Sequence, residues 1–273
     1  MNIIIATSRG KAVQPLFLDQ AYRNNIPTKF YSFPGATFST LTSHTLDILK
    51  YEQTANSNTH IYILGGLPDV TIVLKNKPHE KLYQEVIMQG NTQQNINRIS
   101  GRLSNMTKTI RATGATLTIC TIVPSSISAW NYKRLTQRRT LSLKHFGKYP
   151  DMQNTQQEVI IHINQEITSI NSRNNLPTPF LHRTIAMSLK TNNAPRYKFT
   201  FDHFVDGVHP TDELASLWAD KLFTIVKHNT KTAQPSLASA SLPSPMHTHQ
   251  LTYYNTSDSD SEEGAHSRIW RPS

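Results

Sequence analysis

Cysteine is all but missing from this chain. Cys120 stands alone among 273 residues, so no intramolecular disulfide can form and a small disulfide-built secreted module is excluded. It sits inside the apolar run ATLTICTIV and reads as a small buried core residue rather than a nucleophile. No apolar stretch approaches the roughly 20 residues that cross a bilayer. The opening MNIIIATSRG has only a short apolar run with no basic residue before it, too little for a signal-peptide core. The expected compartment is therefore intracellular, cytosol or nucleus, where the sequon at Asn105 has no meaning. Acidic residues are absent between Glu85 and Asp151, a span carrying ten Lys or Arg, in a chain of net charge +10. A surface of this kind can draw phosphate-rich partners, or it can be a solvated basic face.

What is present is an alternation of strands and helices. Asn2–Ala6 reads as a short strand, 11–24 as a helix, 28–33 as a second strand closed by Pro34-Gly35, and 37–51 as an amphipathic helix. THIYIL, residues 59–64, is the clearest strand. A polar helix over 91–113 carries Ile96, Ile99, Leu103, Met106 and Ile110 on one stripe and stops at Gly114. The strand 115–123 follows and ends at Pro124. Residues 125–154 form a basic insertion without a clean period. A helix over 155–172, a fifth strand near 178–185 and a last helix bearing Leu214, Trp218 and Leu222 complete a domain of residues 1–230. Strands separated by helices of this length imply a parallel sheet covered on both faces. From 231 to 273 the composition shifts to Ser, Pro, Thr and His with an acidic patch at 257–263, too polar to fold, and it is expected to be a disordered tail that is solubilising or phosphorylated.

In an open parallel sheet, ligands sit outside the carboxyl ends of the strands. The loops expected there are Thr7–Gly10, Pro34–Ala36, Gly65–Asp69 and Asp206–Pro210. Asp206 and His209 are spaced so that the carboxylate can accept from His209 Nδ1, leaving Nε2 as a base. Ser8 directly follows the first strand, and a serine hydroxyl becomes a nucleophile when such a base takes its proton. Backbone N–H groups at Ser8 and Gly35, with Gly66 as a further candidate, could hold an oxyanion. The two glycines could equally serve tight turns, and Ser8 could be a helix cap. His203 near His209 lacks the carboxylate or cysteine spacing of a metal site, so neither metal nor cofactor is expected.

These four segments, in this order, resemble the sequence blocks of the SGNH (GDSL-type) hydrolase superfamily. The resemblance covers essentially residues 1–229, and Asp-Gly-Val-His-Pro before the last helix is its most specific part. It implies a flavodoxin-like three-layer αβα sandwich with a parallel sheet of about five strands. It also implies an esterase, lipase or acyl-esterase activity through a Ser8–His209–Asp206 triad. Two departures stand out. Ala6-Thr7-Ser8 replaces the usual Gly-Asp-Ser, and Pro68 stands where the family has an asparagine whose amide completes the oxyanion hole. Losing one such donor costs about 10²–10³ in turnover unless another group, such as Arg9, replaces it.

The basic insertion interleaves Trp130, Tyr132 and Phe146 with Lys133, Arg134, Arg138, Arg139, Lys144 and Lys148. One reading is a lid over the cleft, with Arg9, Arg134, Arg138 and Arg139 contacting a small-molecule or acylated substrate. The other is a catalytically impaired scaffold of the kind encoded by mobile elements or viruses, binding nucleic acid or another polyanion through residues 86–150. The sequence leaves the ester and the oligomeric state open.

Overall fold

The structure is a computed structural model that describes residues 1–52, 59–75, 84–88, 90–137, 143–189 and 196–233. In chain order its elements begin with β1 (Asn2–Ala6), α1 (Gly10–Arg23), β2 (Thr28–Ser32), α2 (Phe38–Tyr51) and β3 (His60–Leu64). A short helix α3 (Leu67–Val70), strands β4 (Ile72–Lys75) and β5 (Gln84–Ile87), α4 (Thr92–Arg111) and β6 (Thr116–Ile119) follow. The chain continues through α5 (Ile127–Thr136), α6 (Tyr149–Arg173), β7 (Ala186–Leu189), β8 (Arg196–Phe199) and α7 (Asp212–Ala233).

All five residues of β1 are buried, which an apolar strand achieves only in the interior of a sheet covered on both faces. The main sheet runs β2-β1-β3-β6, parallel throughout. Side chains of β1 alternate across it. Ile3 and Ile5 join the core beneath α2, α4 and α6, while Ile4 and Ala6 face α1 and α7. The result is the expected αβα sandwich. Among the described residues no helix is long and apolar enough to cross a membrane.

The fifth parallel strand expected at 178–185 is absent. Leu181–Ile185 makes a 3-10 turn, and β7 pairs antiparallel with β8 away from the main sheet. The outer edge of β6 is instead satisfied by side-chain amides of α6. Asn171 accepts from the Ile119 N–H at 3.1 Å and donates to the Ile119 carbonyl at 2.8 Å. Asn164 does the same for Ile122, at 2.7 and 2.9 Å. Gln156 accepts the Ser125 N–H at 3.1 Å, and the Thr121 N–H reaches the Pro179 carbonyl at 3.1 Å. An asparagine amide offers one acceptor and a donor pair, like a peptide group. Seven helical residues advance about 10.5 Å and three extended residues about 10 Å, so the two asparagines meet Ile119 and Ile122 in register.

The basic insertion is more regular than its sequence suggests. It contains α5, a 3-10 turn at Phe146–Lys148 and the start of α6, which begins at Tyr149 with Pro150 in its first positions and Asp151 in its first turn. The antiparallel β4–β5 ladder was not foreseen. The tail beyond residue 233, together with Arg138 and Arg139, lies outside the described residues.

Candidate active site

Ser8 leaves β1 on a turn that requires close approach of strand and helix. A Cβ at Gly10 would lie 2.2 Å from the Ala6 Cβ, so only glycine lets α1 start there. Ser8 itself is half-buried. The N-terminus of α1 has no side-chain cap, so the Ser8 hydroxyl is not consumed as one, and among the described residues it has no hydrogen-bond partner, His209 included. The backbone N–H groups of Ser8 and Gly35 are likewise without an acceptor among the described residues. Gly35 has φ +74, and a Cβ there would meet nothing within 4 Å. Its glycine therefore answers to the turn's positive φ.

The last loop carries the most ordered part of the site. Asp206 Oδ1 accepts the N–H groups of Val208 at 2.9 Å and His209 at 2.7 Å, and Oδ2 accepts from His209 Nδ1 at 2.7 Å. Burial alone would raise the Asp206 carboxyl. The hydrogen bonds from the His209 ring and the two backbone amides outweigh it and hold the group down at about 2. The loop is closed by Val205 N–H on the His209 carbonyl and by a bridge between Phe204 and Pro210. Gly207, at φ +81, is pressed against α5, and a Cβ would lie 2.7 Å from the Ser126 carbonyl oxygen. With Nδ1 fixed, His209 presents Nε2, which has no hydrogen-bond partner among the described residues.

Arg9 requires a correction. It was expected to face substrate or to replace the missing oxyanion donor, but it is only 5% exposed. Its terminal nitrogens donate to the carbonyls of Val123 and Pro124, and its guanidinium lies 5.4 Å from the Phe204 ring centroid and 6.0 Å from that of Trp218. Burial pushes it down to about 9, partly opposed by the charge of Asp206. Arg9 is therefore a buried tie between the first loop, the end of β6 and the last loop. It places those three loops at one rim.

The Gly65–Asp69 turn is explained by packing. Gly66, at φ +97, would drive a Cβ to 2.6 Å from Phe38 and 2.7 Å from Ile122, which accounts for the glycine, and its N–H, like those of Ser8 and Gly35, has no backbone acceptor among the described residues. Pro68 occupies the first turn of α3, where a missing N–H is tolerated, and supplies no donor. Asp69 is buried and accepts from the Phe38 N–H at 2.8 Å and from Arg102 at 2.9 Å. It thereby fixes the start of α2 against α4.

One aromatic of the basic insertion adjoins the site, as a lid over the cleft would. The Trp130 ring on α5 lies 5.6 Å from the His209 ring, and Arg134 stands over the indole at 4.5 Å while donating to Gln84. Arg134 is thus held against α5 and β5 rather than extended toward a ligand. A cavity of about 330 Å³ opens elsewhere, lined by Ile161, Gln165, Phe180, His182 and Phe199, and shares no residue with this rim.

No family model and no curated protein sequence matches the chain. Solved structures do. A Bacteroides fragilis protein provisionally assigned as an acylhydrolase superposes with a TM-score of 0.52 at 14% identity, over 85% of this chain and 88% of its own. A GDSL-like lipase from Bacteroides thetaiotaomicron gives 0.51, also at 14% identity and with the same coverage of both chains. At that identity the likeness is one of architecture: the chain has the α/β fold of GDSL-type lipases and acylhydrolases.

Proposed function

We propose that this protein hydrolyses carboxylic esters with Ser8 as nucleophile. The observation that carries the reading is the Asp206–His209 pair, locked by three hydrogen bonds and leaving Nε2 uncommitted. Ser8 Oγ attacks the ester carbonyl and passes its proton to His209 Nε2. The tetrahedral oxyanion is held by the N–H groups of Ser8 and Gly35. The leaving alcohol takes the proton from Nε2, and water, deprotonated by the same imidazole, releases the acid from Ser8. Asp206 keeps the Nδ1 proton in place and stabilises the imidazolium. Ser8 and His209 are not hydrogen-bonded to each other in the structure, and such bonds commonly tighten only around substrate. Pro68 leaves the oxyanion hole with backbone donors alone, which sets the expected turnover about 10²–10³ below that of a three-donor site.

A fluorophosphonate probe tests this reading. Wild-type protein should label and Ser8→Ala should not, and equal labelling of both refutes Ser8 as nucleophile. The rival reading is an inactive scaffold gripping nucleic acid through residues 86–150. It requires no labelling at all and an affinity for DNA or RNA that falls steeply with salt.

A further inference from the structure

The cavity of about 330 Å³ that shares no residue with the rim is built by the segment standing in for the fifth strand. Part of its lining is a face of α6, where Ile161 and Gln165 lie one helical turn apart. The rest includes Phe180, His182 and Arg183 around the 3-10 turn and Phe199 at the end of β8. Small-molecule sites span about 300–1,000 Å³ and combine a mainly apolar lining with a few placed polar groups. This cavity has that make-up.

Its charge is of one sign. Arg183 lines the cavity and is also exposed, so it stands at the mouth. Its guanidinium lies 3.8 Å from the Phe180 ring centroid. Stacking of this kind uses the guanidinium face and leaves its N–H fork for a carboxylate. Among the described residues no carboxylate lines the cavity or pairs with Arg183. Glu158 and Glu166, on the same stretch of α6, accept instead from Thr92 and Ser100 of α4. His182 contributes a second uncommitted group. Its Nδ1 is shut off from solvent and has no hydrogen-bond partner among the described residues, and a buried polar atom left unmet is costly. Burial, together with the charge of Arg183, lowers the ring to about 4, so near pH 7 it is neutral and has one N–H to donate.

We infer that this cavity binds a small organic anion, with a flat apolar body among Ile161, Phe180 and Phe199 and one carboxylate on Arg183. The site is separate from the Ser8 and His209 rim, so its test does not depend on ester hydrolysis. Sodium 2-naphthoate is titrated into the full chain by calorimetry, with 2-naphthamide as its neutral counterpart. The carboxylate should bind saturably, one per chain, and about tenfold or more tightly than the amide, the worth of a charge-assisted hydrogen bond. Arg183→Gln should bring the carboxylate down to the affinity of the amide and leave the amide unchanged, a pattern that general unfolding does not produce. Gln165→Trp, at an exposed position of α6, sets an indole against the cavity and should weaken both ligands about tenfold or more. The proposal is overturned if naphthoate shows no saturable binding at millimolar concentration, or if acid and amide bind alike. It is also overturned if either substitution leaves naphthoate binding unchanged. Fluorophosphonate labelling reports on Ser8 alone: its failure would sink the hydrolase reading and leave the naphthoate result standing.

Discussion

Replacing Asp206 by Asn keeps the side chain's size and one of its two oxygens. That oxygen can still accept the Val208 and His209 amides, as Oδ1 does at 2.9 and 2.7 Å. The new NH2 then faces His209 Nδ1 across the 2.7 Å now spanned by Oδ2, where two donors cannot coexist. The imidazole must move its proton to Nε2, and in that tautomer it cannot accept one from Ser8. The serine-protease precedent for this change is a loss of about 10⁴ in kcat. A smaller effect on stability accompanies it. The carboxyl sits at about 2 against an ordinary 3.8, and because its side chain keeps 15% of its surface in solvent, screening leaves a contribution on the order of 1–2 kcal/mol. A depressed carboxyl stabilises the fold above its unfolded value, so this contribution is complete above about pH 4 and disappears as the pH falls toward 2. Hydrolysis of p-nitrophenyl acetate by wild type, Asp206→Asn and Ser8→Ala gives the first quantity. Urea unfolding at several pH values gives the second. If Asp206→Asn kept more than about a tenth of wild-type kcat, the carboxylate would not be setting the tautomer, and the assignment of His209 as base would fall.

Asn164→Ala should cost about 2–4 kcal/mol in urea unfolding, because the buried Ile122 N–H and carbonyl both lose their partner; a loss under about 0.5 kcal/mol would mean that water or a backbone shift replaces the amide. Gly207→Ala should lower the melting temperature by several degrees and impair esterase activity, since the added Cβ collides with the Ser126 carbonyl and meets the Trp130 N at 3.0 Å; an unchanged melting temperature would show that the loop is not pressed on α5. His60 is pushed down to about 4 by burial, so the unfolded chain binds its proton first and stability should fall as the pH drops from about 6.5 toward 4. His60→Phe should flatten part of that slope, the rest belonging to His182, which burial also lowers to about 4; an unaltered slope would refute the assignment.

How the site assembles was partly readable beforehand. The DGVHP segment announces itself locally: a carboxylate three residues before a histidine, a glycine between them and a proline ahead of a helix. The Asp206–His209 contact follows from that turn chemistry alone. Arg9 is different. An arginine after a strand looks like a substrate contact until the carbonyls of Val123 and Pro124, more than a hundred residues away, are seen to accept it. The lid reading of the basic insertion put its aromatics near the cleft, but only the packing of α5 on the last loop singles out Trp130 as the ring beside His209.

The amino-acid order determined what depends on short-range periodicity and turn geometry. It fixed the buried first strand, the apolar stripe of α4, the glycine-bearing turns and the rim at which the four loops gather. The tertiary structure decided what depends on partners distant in the chain. Whether an edge strand receives a neighbouring strand or a column of asparagines cannot be read from β6 itself, because its backbone groups accept either. That choice falls to α6, whose Asn164 and Asn171 reach the strand only once the helix is laid along it.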